Sequence, residues 1–345
     1  MGFSLRRMME YLYDPGHVIA YTAYMGGGKS HLAVAFNEWN VKHRSNCHLL
    51  TNIVFLRFKG WRQVEKRDGA MVTRPTWEEE YPPGVHKVTS MEDVFRRTAE
   101  ILLEDEDSVI LLPIDEFQNF VVSDLNDYMA ITFVKYVANC RKFRHVPQPI
   151  TPAKNNILRR VREFFDNPTY GGYLYAHFYK SKFEVQEYNS FHGTDLTTQQ
   201  TALLKISHDQ IWPNLVTVPV TEWAKPWDML EAGDIIYDHR APADFSLGNF
   251  DFAKLMRRVG GVPYYRIPSA IQDYFDELDR RRSINDVFED PTVLRAMRVY
   301  QMRYGMDEQL RWDDIARIER TPRQTLQSEL KRHIELVKGL GECEA

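Results

Sequence analysis

The feature that most constrains the fold is a run of three glycines between an apolar segment and a segment with helical periodicity. Residues 18–24, VIAYTAY, are apolar and rich in strand-forming side chains. The stretch AYMGGGKSH occupies residues 23–31, and residues 30–43 space their apolar side chains as a helix does. The pattern predicts a strand, a glycine loop and a helix, in that order.

Such a loop suits phosphate, because its N–H groups and the N-terminus of the next helix both attract anions. In the pattern G-x-x-x-x-G-K-[ST], the lysine neutralises β- and γ-phosphate charge and the hydroxyl binds Mg²⁺. Ala23 replaces the first glycine, at a strand end where a small side chain fits. An ordinary strand-to-helix turn is the alternative. The predicted ATP-binding residues are Ala23, Tyr24, Met25, Gly26, Gly27, Gly28, Lys29, Ser30 and His31.

A pair of acidic residues follows a second apolar run. Residues 109–114, VILLPI, are apolar on both faces, as in a buried parallel strand, and they precede Asp115 and Glu116. Such a pair also occurs at a solvated strand end. Combined with the glycine loop, it predicts hydrolysis, with Mg²⁺ held by Ser30 and Asp115 and with Lys29 and Glu116 as catalytic residues.

Strands and helices alternate along most of the chain, which predicts an α/β fold with a mostly parallel central sheet. We expect this domain to cover residues 1–282 and a small all-α block to cover residues 283–345. Residues 59–84 lack sustained periodicity and are interpreted as an excursion from the sheet. Further strands are predicted at 48–56, 172–179 and 215–220, and helices at 91–103, capped by Ser90 with Asp93, and at 125–143.

Residues 23–30 and 109–116 resemble the Walker A and Walker B motifs of P-loop NTPases. The resemblance covers roughly residues 18–151 and is to the division whose additional strand and catalytic glutamate define ATP-hydrolysing motors. Within it, the sequence Asp-Glu-Phe-Gln from Asp115 and the basic end of helix 125–143 look most like HerA/FtsK-type DNA-pumping ATPases and the related Zot-like proteins of phages and mobile elements. This implies ATP and Mg²⁺ as cofactors, double-stranded DNA as a partner, a homo-oligomeric ring, and capsid or assembly-complex proteins as further partners.

Two more parts of such a motor have candidates downstream. A polar sensor of the γ-phosphate should end the strand after the Walker B helix, where Thr151 is the first choice and Gln148 the second. Two prolines make this segment, 146–151, a poor strand. An arginine that reaches a neighbour's nucleotide would come from Arg159, Arg160 or Arg162, although a solvated basic helix face is the alternative for each.

The C-terminal block has a helix-turn-helix layout, with a short helix at 312–319 and a longer one at 321–338. Residues 295–333 carry nine basic and six acidic side chains. Arg320 stands where the turn usually has glycine, so a three-helix bundle for protein contact is the alternative. The side chains expected to face DNA are Arg323, Gln324, Gln327 and Ser328.

The composition narrows the remaining possibilities. A formal charge of -4 gives no global positive field, so DNA binding would depend on local patches. The three widely spaced cysteines argue against a zinc site or disulfide scaffold and fit a reducing cytoplasm, that of the host for a viral protein. No stretch approaches the roughly 18 apolar residues of a membrane span.

Residues 223–252 contain no catalytic constellation and are interpreted as a lid or subunit contact. His239 with Asp234 and Asp238 suggests a metal site, but their irregular spacing favours a polar loop.

Three functions remain open at this point. They are a DNA-translocating or packaging ATPase, a Zot-like assembly or secretion ATPase, and an ATP-gated helix-turn-helix regulator.

Overall fold

The computed structural model of the chain describes residues 12–23, 25–67, 69–120, 127–166, 171–177, 213–217, 221–289, 291–300, 302–303 and 310–342. The chain divides into two compact units, Met1–Gln272 and Asp273–Ala345. The division falls within a helix, ahead of the boundary predicted near Arg282.

The first unit is built on a seven-stranded sheet in which every strand pairing is parallel. The predicted α/β class is confirmed. All residues of the three central strands are buried, as expected where helices cover both faces. The strand order is β5-β2-β6-β7-β1-β8-β9. The strands are β1 (Val18–Thr22), β2 (Cys47–Thr51), β5 (Val85–Lys87), β6 (Val109–Ile114), β7 (His145–Thr151), β8 (Gly171–His177) and β9 (Pro213–Thr217).

A second, three-stranded antiparallel sheet has the order β10-β3-β4, with β3 at Phe55–Glu65, β4 at Met71–Glu79 and β10 at Ile235–Tyr237. The single strand predicted at 48–56 is therefore wrong, because β2 ends at Thr51 and β3 belongs to another sheet. The excursion predicted at 59–84 lies outside the parallel sheet but contains an ordered hairpin. Its periodicity was weak because much of the hairpin is exposed on both faces.

Helices connect these strands. Those of the first unit are α1 (Lys29–His43), α2 (Met91–Glu104), α3 (Phe117–Phe120), α4 (Asp127–Asn139), α5 (Arg159–Phe165) and α6 (Phe252–Gly260), and α7 (Ile267–Glu289) contains the division between the units. At the start of α2, Ser90 Oγ accepts the Asp93 N–H at 3.1 Å, and the Asp93 carboxylate accepts the N–H of Thr89 at 2.9 Å. The predicted cap is present, with Thr89 rather than Ser90 as the reciprocal donor.

The proline-containing segment is a full central strand, so the prediction of a poor strand is wrong. The Ile110 N–H donates to the Arg144 carbonyl at 2.9 Å. Since successive residues of a parallel strand direct their N–H groups to alternate neighbours, the even-numbered residues of β7 bond to β6. Pro147 and Pro149 therefore direct their missing donors toward β1, and the β1–β7 pairing covers Tyr21 and Thr22.

The second unit contains α8 (Pro291–Tyr300), α9 (Trp312–Ile318) and α10 (Arg323–Glu342), which enclose a small core including Val299, Ile315 and Leu326. Residues 319–322 join α9 to α10, and Arg320 there has a φ of 50°, the left-handed conformation that glycine usually supplies. A short helix, a turn and a longer helix are thus present, while their use in binding DNA stays a prediction.

No helix in the described ranges combines the length and apolarity needed to cross a membrane. Cys47 and Cys140 are buried free thiols, and Cys343 lies outside the described residues.

A fully buried histidine on β7 bonds to two helices. Thr98 donates its hydroxyl to the Val94 carbonyl at 2.7 Å, so its oxygen is left to accept from His145 Nε2 at 2.7 Å. His145 Nδ1 then accepts the Tyr136 hydroxyl at 2.8 Å. Burial lowers the pKa of His145 to about 3, so the ring is neutral in the folded protein.

We predict that this histidine weakens the fold in acid. Its pKa in the unfolded chain is about 6.5, so below that pH the unfolded state takes up a proton that the folded state refuses. His145 should then cost about 1.4 kcal/mol of unfolding free energy for each pH unit between its unfolded and folded pKa values. Urea unfolding of the wild type and of His145→Gln at pH 7 and pH 5 should give a flatter pH dependence for the variant; equal slopes would contradict the assignment.

Candidate functional site

The candidate site lies at the carboxyl end of the parallel sheet. Thr22 at the end of β1 is the register partner of Thr151 at the end of β7, and Ile114 at the end of β6 is the partner of Pro149. Because parallel strands end at the same edge of a sheet, the glycine loop after β1 and the acidic pair after β6 emerge at one edge, with the end of β7 between them. In open α/β sheets this edge is where ligands bind.

The glycine loop has a backbone that favours glycine at two positions. Gly26 has a φ of 72° and Gly28 a φ of 89°, both in the left-handed region. A Cβ on Gly26 would meet nothing within 4 Å, so its conformation rather than lack of space calls for glycine. Gly28 precedes α1 as its N-cap residue, and no side-chain hydrogen bond caps the helix from that position.

The predicted side chains of the loop occupy different environments. Lys29 is buried at the start of α1, with 8% of its surface exposed, whereas Met25 is 90% exposed at the lip of the loop. His31 is also buried, and Tyr24 lies outside the described residues.

Ser30 and Asp115 meet although they come from strands that are not neighbours. The Ser30 hydroxyl donates to the Asp115 carboxylate at 2.6 Å. Burial raises the pKa of Asp115, and the bonds from Ser30 and from the Glu116 N–H oppose that rise. A hydroxyl and a half-buried carboxylate side by side fit Mg²⁺, which takes oxygen ligands and is held by one or two carboxylates plus substrate phosphates.

Asn52 fixes the position of Asp115 and was not predicted as a site residue. Its Nδ2 donates to the Asp115 carbonyl at 3.0 Å, and its Oδ1 accepts the Asp115 N–H at 2.8 Å. The sequence signal was a polar residue directly after the apolar strand β2. A single strand over residues 48–56 places Asn52 inside the strand and so hides this signal.

Glu116 faces the same cleft from a strained backbone. Its φ is 51°, and its carbonyl accepts the Asn119 N–H at 2.8 Å where α3 begins. The Gln118 side-chain amide donates to the Glu116 carboxylate. A non-glycine residue in this region costs about 1–3 kcal/mol, which is typical of functional sites.

The two sensor candidates lie in different places. Thr151 ends β7 next to Thr22, at the same edge as the glycine loop. Gln148 is fully buried, where its Oε1 accepts from Asn37 Nδ2 at 2.8 Å and from the Tyr21 hydroxyl at 3.2 Å. Its Nε2 donates to Asn37 Oδ1 at 3.1 Å. The amide of Gln148 is thus engaged in the core, and Thr151, although it lies at this edge, is also fully buried, with its hydroxyl 3.5 Å from the Ala153 carbonyl.

The three candidate arginines lie on α5, away from the cleft lining. Arg159 and Arg160 are exposed, and Arg162 Nη1 donates to Asn155 Oδ1 at 2.6 Å. Their action on a neighbouring subunit stays a prediction.

A cleft of about 710 Å³ lies over the glycine loop and the acidic pair. Its opposite wall is formed by residues 224–227 and 236–243, in the segment for which the sequence predicted a lid or subunit contact. Tyr237 links the two walls, since its hydroxyl lies 3.4 Å from His31 Nδ1. Burial raises the pKa of Tyr237, which keeps the phenol neutral.

Acidic residues of the segment 223–252 make ordinary loop contacts. Asp234 accepts from Lys225 Nζ and from the Glu231 N–H, each at 2.8 Å, and the His239 ring lies 6.0 Å from that of Trp227. No cluster of three His, Cys, Asp or Glu side chains suited to a metal occurs in the part of the chain that the structure describes.

No protein-family model matches the chain, and a search of curated proteins finds no significant match. Its function is therefore inferred from the geometry of the site.

We predict that Asn52 is needed to hold Asp115. Asn52→Ala removes both bonds to the Asp115 backbone and leaves its half-buried N–H and carbonyl without these partners, which costs about 1–3 kcal/mol. Asn155→Ala, at an exposed position, is the matched control. Thermal unfolding should show a clear loss for Asn52→Ala against the control, and equal melting temperatures would contradict the assignment.

Proposed function

We propose that this chain is an ATP-hydrolysing enzyme of the P-loop class. The observation that carries the proposal is the 2.6 Å bond between Ser30 and Asp115, which joins the two expected Mg²⁺ ligands across the site. The strand order supports it, because β7 lies between β1 and β6, as the additional strand of the resembled division would.

Each part of the site has a chemical role in this proposal. The N–H groups of the loop and Lys29 would bind the phosphates, and Ser30 and Asp115 would hold Mg²⁺. When bound, Mg²⁺ would neutralise phosphate charge. Glu116 would orient the attacking water and take its proton, and Thr151 would contact the γ-phosphate from the end of β7.

Glu116→Gln should bind ATP but hydrolyse it slowly. The amide keeps the size of the side chain and cannot accept the proton, so turnover should fall by about 100-fold or more. Single-turnover hydrolysis measured beside ATP affinity checks this. Glu163→Gln, on α5, is the control for the same chemical change, and wild-type turnover in Glu116→Gln would contradict the role of Glu116.

Lys29→Ala should weaken ATP binding itself. Loss of a charged hydrogen-bond donor to phosphate costs about 1.5–3 kcal/mol, which is at least about tenfold in affinity. Titration with a fluorescent ATP analogue measures the change, with Lys254→Ala on an exposed position of α6 as the control. An unchanged ATP affinity would contradict the assignment of the glycine loop as a nucleotide pocket.

We further propose that hydrolysis drives DNA translocation or packaging. The helix pair α9 and α10 supports a DNA partner, because Arg323, Gln324 and Ser328 are exposed near the start of α10 and Gln327 is half-buried. The salt bridge at 3.6 Å between Arg323 and Asp313 on α9 would have to yield to phosphate.

DNA-stimulated ATPase activity, measured beside the mass of the protein in solution with ATP, separates the alternatives. A motor should form an ATP-dependent ring and hydrolyse faster with double-stranded DNA. Binding to one defined DNA site without stimulation would indicate the ATP-gated regulator. A ring indifferent to DNA would favour the assembly or secretion ATPase.

A further inference from the structure

The hairpin of β3 and β4 extends well beyond the strand that supports it. β10 pairs with β3 at Phe55, Leu56 and Arg57, while β3 and β4 remain paired out to Glu65 and Met71. We call residues 60–76 the hairpin tip. A two-stranded ribbon is only marginally stable alone. The reason why the hairpin extends beyond β10 is therefore to be sought in something other than packing.

The charges at the base of the hairpin are neutralised. Arg57 forms a two-pronged ion pair with Glu80, and Lys59 forms one with Glu78. Opposite charges therefore meet across the base of the hairpin, and such pairs stabilise a sheet.

The hairpin tip has the opposite arrangement. Arg62 and Arg74 are direct register partners, so two like charges face the same side of the ribbon. Both side chains are exposed, and within the described residues neither guanidinium has an ion-pair partner. The hairpin tip carries four basic residues against two acidic ones, with Lys66 and Arg67 exposed at the turn. Like charges in register destabilise a hairpin, and an anionic partner would remove that cost.

The arginine face is also separate from the apolar face. A register shift between Phe58 and Gly60 places Trp61 on the side of Phe58, whose ring it meets edge-on at 5.4 Å. Arg62 and Arg74 point the other way, because neighbouring residues of a strand alternate. One face of the ribbon is thus anchored by aromatic contacts and the other presents the two guanidinium groups.

We propose that the hairpin tip binds the phosphate backbone of duplex DNA through Arg62 and Arg74. A two-stranded β-ribbon fits the major groove, about 12 Å wide, and arginine is suited to phosphate. At about 3.4 Å per residue, Lys66 at the turn lies about 14 Å from Arg62 along the ribbon, and Arg67 follows it, so the basic groups can reach both sides of such a groove. The contact is to phosphate and carries no sequence preference.

This inference rests on the proposal that the chain acts on DNA, and it adds a contact in the first unit that does not involve α10. The variant Arg62→Gln/Arg74→Gln tests it in the full-length chain. Binding to a mixed-sequence duplex should weaken, and the slope of log affinity against log salt between about 50 and 200 mM should become shallower by about 2, one for each lost phosphate contact. ATP affinity should stay at the wild-type value, and the melting temperature should not fall, because a like-charge pair has been removed.

Two further variants complete the test. Lys66→Gln/Arg67→Gln, at the turn, should change the salt slope in the same direction, and Arg257→Gln, at an exposed position on α6, should leave it unchanged. Wild-type DNA affinity and slope in Arg62→Gln/Arg74→Gln would overturn the inference while leaving the proposed ATPase and its DNA partner intact. No DNA binding by the wild type would overturn both the DNA partner and this contact. A change in solution mass with unchanged DNA binding would make the hairpin tip a contact between copies of the chain instead.

Discussion

The parallel pairing of β6, β7 and β1 is the constraint on which the site depends. It places the ends of three buried strands at one edge, so that a hydroxyl on α1 reaches a carboxylate that follows β6 more than eighty positions later in the sequence, at 2.6 Å. Because all three strands are completely buried, the register that makes this meeting possible is fixed by the core. The glycine loop, Asp115 and Glu116 are then local additions to the strand ends.

Much of this centre could be predicted because its signals are local. Three glycines between a strand and a helix, and an acidic pair after a fully apolar run, each carry their chemistry within about ten residues. Asn52 and residues 224–243 could not be predicted in the same way. Their roles depend on which distant segment they meet, and a loop residue has no periodicity that would reveal its partner.

The prediction of a poor strand at the prolines of β7 was wrong for a different reason. The rule that proline interrupts a ladder concerns its missing N–H, and the two prolines of β7 are an even number of residues apart. Both gaps therefore open toward the same neighbour, β1, and the ladder to β6 is complete through Ile114. The spacing of the two prolines is visible in the sequence. Which neighbouring strand faces their missing N–H groups depends on the strand order of the sheet.

The buried amide pair of Asn37 and Gln148 has a mechanical consequence. Asn37 lies two turns along α1 from Lys29, and Gln148 lies three residues before Thr151 on β7. Their two mutual hydrogen bonds, at 2.8 and 3.1 Å, fasten the helix that follows the glycine loop to the strand that ends in Thr151. A shift of α1 relative to β7 would have to break both bonds between fully buried amides, so we expect any motion that ligand binding produces to appear elsewhere in the first unit.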